Sequence, residues 1–132
     1  MEELARLVRE ALERLERVEE ALGRFGESLA SGALAEALRG LEEAYARLAE
    51  LYPPARSYSE RAMLLRRYVE ALMVRARLYG LRGFFREAEY IEGHVRDLRV
   101  FLARLDELLV SQRLLSTRGR GLGDRSRVYP GV

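Results

Sequence analysis

Four stretches of this chain place an apolar residue at every third or fourth position without a break. The first leads from Leu4 through Val8, Ala11, Leu15, Val18 and Leu22 to Phe25. The second takes Leu34, Leu38, Leu41, Tyr45, Leu48 and Tyr52; the third takes Ala62, Leu65, Val69, Leu72, Ala76 and Tyr79. The fourth runs Phe84, Ala88, Ile91, Val95, Leu98, Leu102, Leu105 and Leu109. A mean spacing near 3.5 residues keeps each row on one side of an α-helix, whereas a half-buried strand needs a period of two. Rods with such narrow seams pack side by side at about 20°. Short connections return each helix beside its predecessor, so the predicted fold is all-α: an antiparallel up-down-up-down four-helix bundle.

Local signals bound these helices. Gly23 and Gly26 end the first, and Ser31 is the expected N-cap of the second. Pro53 and Pro54 stop the second, because neither donates a backbone N–H and each restricts the residue before it. Ser57-Tyr58-Ser59-Glu60 has the spacing of a capping box for the third. Gly80-Leu81-Arg82-Gly83 reads as a short helix–helix turn. The fourth helix is expected from Phe84 to about Ser116, near 50 Å at 1.5 Å per residue, against about 30–36 Å for the others. Its end therefore overhangs, and that end is apolar: Leu108, Leu109, Val110, Leu114 and Leu115. Residues 1–116 form the expected helical domain. Residues 117–132, rich in Gly and Arg, bury too little to offset their ordering entropy and are expected as a flexible basic tail.

Composition argues against most chemistry. With no Cys there are no disulfides, thiolate metal sites or Cys nucleophiles. A metal-binding bundle needs carboxylates and histidines on its inner seam, and every seam position here is apolar. His94 is the one histidine. The serines fall at helix ends or in the tail, and carboxylate pairs such as Glu42-Glu43 lie on charged faces. The reading is a non-enzyme with no cofactor, no metal and no small-molecule substrate. No window is apolar enough to span a membrane, and the acidic start Met1-Glu2-Glu3 does not resemble a secretory signal, so a cytoplasmic location is expected. All 23 basic residues are Arg, and Asn is absent. Many Arg/Glu pairs and few thermolabile residues suit a thermophile; a GC-rich genome would give the same replacement of Lys by Arg.

Two resemblances bear on the fold. Tyr79, Gly83, Phe85 and Ala88 match the spacing of the inter-helix turn of a tetratricopeptide repeat, a resemblance that implies a helical hairpin; no second copy follows at the repeat's period of about 34 residues. The size and all-α pattern also resemble HEPN domains, whose ribonuclease members carry an Arg and a His with four to six residues between them at a dimer cleft. Arg86 and His94 are the matching residue types, with seven residues between them. That resemblance implies a HEPN-like ribonuclease or toxin-partner domain as one alternative.

Two features point to partners. The third helix carries a second apolar row, Leu64, Tyr68, Ala71 and Leu78, so its apolar arc spans roughly 200°, wider than a surface helix needs. Leu64, Tyr68 and Leu78 of this row, with the overhang residues Leu108, Val110, Leu114 and Leu115, are the expected protein interface, and the simplest partner is a second copy in a homodimer or other homo-oligomer. The expected function is that of a self-associating scaffold or adaptor. The alternative is a nucleic-acid accessory subunit that uses Arg66, Arg67 and Arg77 of the third helix with Arg118, Arg120, Arg125 and Arg127 of the tail. The tail carries a net +3 of the chain's +2, which leaves the body at −1, so the basic character is local.

Overall fold

The computed structural model describes the backbone of residues 2–128 and the side chains of residues 2–113. Five α-helices form among the described residues and pack against one another, with no strand. They are α1 (Glu2–Leu22), α2 (Phe25–Ser31), α3 (Ala33–Leu51), α4 (Arg56–Tyr79) and α5 (Phe85–Val128). A 3-10 turn, Pro53–Ala55, joins α3 to α4.

The apolar rows become the core. Val8, Ala11, Leu15 and Val18 of α1 are fully buried, as are Leu34, Leu38, Leu41, Tyr45 and Leu48 of α3. Ala62, Leu65, Val69, Leu72 and Ala76 of α4 join them, with Ile91, Val95, Leu98, Leu102 and Leu105 of α5. Full burial of each Leu or Val contributes about 1.5–3 kcal/mol relative to exposure, which makes this core the dominant stabilising term. At the rims the rows open: Leu4, Leu22 and Phe25 are half-buried, and Tyr79 is exposed.

Facing partners show how neighbouring helices run. Glu10 and Arg14 of α1 meet Arg47 and Gly40 of α3. Glu42 and Arg39 of α3 meet Arg66 and Glu70 of α4. Tyr58, Arg61, Tyr68 and Arg75 of α4 meet Phe101, Asp97, Tyr90 and Phe84 on the α5 side. In each pair the residue number rises on one helix as it falls on the other, so the pairs are antiparallel.

The extra helix is α2, which the periodicity does not signal. Gly23 and Arg24 form a turn, and Gly26 lies inside α2 instead of ending α1. α2 seats Leu29 in the core, and Ser28 donates its hydroxyl proton to the Ala21 carbonyl. That bond satisfies the one polar residue classed as buried among the described residues. Two capping expectations are corrected. Ser31 closes α2, and Gly32, at φ 88°, takes the N-cap position of α3, while the Ser31 hydroxyl, one residue earlier, accepts from the Ala33 N–H at 3.3 Å. A residue with a Cβ would be strained in place of Gly32. The Ser57–Glu60 capping box does not form: α4 has begun by Arg56, and its N-cap, Ala55, makes no side-chain cap bond. The cause is the preceding turn, which already holds Ala55 and Arg56 in helical geometry (φ −76° and −59°) and leads directly into the helix.

The stop after α3 is as the prolines dictate, with Tyr52 extended at φ −132°, ψ 92°. Gly80 and Gly83, at φ 85° and 87°, turn the chain between α4 and α5. Phe84 lies just before α5, its carbonyl accepting from the Ala88 N–H. The α5 backbone span covers 44 residues, longer than expected, or about 66 Å. Part of the expected flexible tail, residues 117–132, therefore lies within that span; its side chains and residues 129–132 fall outside the described residues.

Candidate interaction surface

The second row of α4 faces outward. Leu64 is 58% exposed and Leu78 69%, with exposed Ala71 midway between them. Tyr68 sits at the edge of this row, half-buried, its ring tilted against Tyr90 of α5 at 4.8 Å. Tyr90 in turn meets His94 edge-on at 4.5 Å. One oxygen of the neighbouring Glu87 carboxylate is shut off from solvent with no hydrogen-bond partner among the described residues. Burial and the Glu87 charge together hold the Tyr68 hydroxyl above its usual pKa, so it stays protonated.

The overhang of α5 has a geometric cause. The antiparallel register of α4 on α5 brings the start of α4 opposite the middle of α5, near Leu102. Past that point α4 no longer covers α5. Leu105 and Leu109 remain buried, but Leu108 and Val110 are exposed, at 57% and 48%. Leu114 and Leu115 continue the same stretch in sequence, and their side chains lie outside the described residues. A third apolar cluster was not singled out as an interface from the sequence: Tyr79, Leu81 and Phe85 are exposed around the α4–α5 turn, two of them above 80%. The signal was the run of large apolar residues on either side of a glycine turn.

The arginines of α4 are differently placed from one another. Arg66 forms a two-nitrogen fork on Glu42 and also reaches Glu70 at 2.5 Å, while Arg39 holds Glu70 from α3 at 2.8 Å. The Glu42 hydrogen bond, ahead of the nearby carboxylate charges, raises the Arg66 pKa. Partial burial works to raise the Glu70 pKa, but the hydrogen bonds and charges of Arg39 and Arg66 outweigh it and hold the carboxyl below its usual range. Arg77 donates to the Ala30 carbonyl at 3.3 Å. Arg66 and Arg77 are thus engaged in holding α4 to α2 and α3. Arg67 is exposed and makes no such contact among the described residues. Arg118, Arg120, Arg125 and Arg127 lie where side chains are not described.

Arg86 and His94 both lie on α5, Arg86 exposed and His94 half-buried, about 12 Å apart along the helix axis. Among the described residues no group of three or more His, Asp or Glu side chains could hold a metal ion. No described helix is long and apolar enough to cross a membrane. A cleft of about 900 Å³ lies between α1, α2 and α3, with Arg14, Arg17, Arg24, Glu20, Glu27 and Glu36 interleaved around it. Its charges balance, and it is open to solvent. No protein-family model, curated protein or solved structure matches this chain.

Proposed function

We propose that this protein is a non-enzymatic helical scaffold or adaptor that works as a self-associated assembly. In this reading α1, α3, α4 and α5 act as an up-down-up-down bundle, with α2 as a short buttress, and the long last helix extends past the bundle to meet a partner. The observation that carries it is the apolar row that the fold itself leaves uncovered on α4, Leu64, Ala71 and Leu78, with Leu108 and Val110 exposed on different sides of α5. Isolated exposed apolar residues are ordinary, but rows along a helix mark partner surfaces. Residues 117–132, whose arginines Arg118, Arg120, Arg125 and Arg127 give the segment its positive charge, serve in this reading as a basic contact.

The core supports a non-catalytic role, because its rows are apolar where reactive groups would have to sit. Interhelical ion pairs, Arg47 with Glu10, Arg99 with Glu19 and the Arg39–Glu70–Arg66–Glu42 chain, suit a thermophile, in which such networks gain value as the desolvation cost of charges falls with temperature. A cysteine-free chain suits a reducing compartment, and we take the cytoplasm as its location.

Light scattering on the purified chain across a wide concentration range tests the reading. A mass of at least two chains that falls on dilution is the expected result. A single-chain mass at every concentration would remove self-association from the account.

A further inference from the structure

The outward row of α4 has an internal symmetry. Leu64 and Leu78 lie seven residues to either side of Ala71, each step drifting only about 20° around the helix. An antiparallel copy of α4, turned about an axis beside Ala71, would therefore set Leu64 against Leu78 and Leu78 against Leu64. At the centre would stand the smallest side chain of the row, so the two helices could approach closely. One flank is complementary as well. The same rotation carries Arg75 toward Tyr68 of the second copy, where the ring and the adjacent Glu87 carboxylate attract a guanidinium. Arg75 already stacks over an aromatic ring in its own chain, with its guanidinium carbon 5.5 Å from the Phe84 centroid, so it stands on the same edge of the row as Tyr68.

We propose that α4 packs antiparallel against α4 of a second copy of this chain, across a two-fold axis that passes beside Ala71. Self-complementarity is what a two-fold contact demands, because one patch must serve as both partners. A heterologous partner would impose no such palindrome on the row. The inference rests on the self-association reading and adds to it the face, the direction and the register.

The chain has no Cys, so introduced thiols report on geometry without background. In the full-length protein Ala71→Cys should give a covalent dimer on mild oxidation, since a disulfide forms where Cα atoms lie about 4.4–6.8 Å apart. Leu64→Cys alone should not, because the two-fold would separate the paired positions by about 21 Å. A mixture of Leu64→Cys and Leu78→Cys chains should cross-link to one another. All three sites are exposed, so the variants should keep the parent's circular dichroism. If the parent is a dimer by light scattering and Ala71→Cys stays monomeric on a non-reducing gel, the proposed axis is wrong while self-association stands. Cross-linking of Leu64→Cys alone as readily as Ala71→Cys would also overturn it. A monomeric parent would sink both readings together.

Discussion

Removing one oxygen from Tyr45 probes how tightly α3 and α5 are joined through the core. Tyr45 is fully buried, and its hydroxyl donates to the Leu98 carbonyl at 2.7 Å. Leu98 lies inside α5, so its carbonyl also accepts within the helix and is not orphaned when the hydroxyl goes. Tyr45→Phe therefore removes one buried hydrogen bond and leaves the ring in place beside Phe101, 6.3 Å away. The expected cost is about 1 kcal/mol, or a Tm lowered by about 4 °C for a chain of this length. Alkaline pH supplies a second readout. Burial, ahead of the charge on Tyr58, holds the Tyr45 hydroxyl above its ordinary value of 10.0. The unfolded chain then loses that proton first, so the stability tied to Tyr45 is present below pH 10 and is lost as pH rises beyond it. Thermal melts by circular dichroism at pH 7 and pH 11 should show the parent losing stability between them, and Tyr45→Phe losing less. An unchanged Tm at pH 7, or an equal alkaline loss in both proteins, would refute the placement of this hydroxyl.

Two glycines should respond in opposite senses to alanine. At Gly40 an added Cβ would lie 2.8 Å from an Arg14 guanidinium nitrogen, the far end of a flexible side chain that can swing away; Gly40→Ala should stabilise by about 0.5–1 kcal/mol in urea denaturation. Gly32→Ala, at φ 88°, should cost about 1 kcal/mol in the same assay. In acid, the Glu70 carboxyl held down by Arg39 and Arg66 gives stability present above its unfolded pKa of about 4.3 and lost as pH falls through its lower folded value. The acid loss between pH 5 and pH 2, followed by melts, should shrink in Glu70→Gln. The double substitution Leu64→Glu with Leu78→Glu puts charge on exposed positions only, so it should reduce the mass seen by light scattering to one chain while leaving helicity intact.

Much of the fold was legible because the seam residues report directly on packing. The α3 row from Leu34 to Leu48 and the α4 row from Ala62 to Ala76 are buried as their spacing predicts. The α2 insertion was not legible, since seven residues give too few turns for a period to emerge and Leu29 alone enters the core among its apolar side chains. Nor was the start of α4: a Ser-x-x-Glu pattern says that a cap is chemically possible, not that the backbone is still unwound when it reaches Ser57. On the surface, the sequence pointed to Leu64 and Leu78, whose exposure follows from a helix with two apolar rows and one core to fill. It could not separate Arg66 and Arg77, engaged with other helices, from Arg67, because an arginine's partners depend on inter-helix register.

Sedimentation equilibrium of the intact chain, run beside its Leu64→Glu, Leu78→Glu counterpart, tests most directly whether these uncovered rows join copies together. The account predicts a reversible oligomer for the parent and a mass near 15.2 kDa for the substituted chain. A mass near 15.2 kDa for both at every loading concentration, or an oligomer untouched by the two charges, would contradict it.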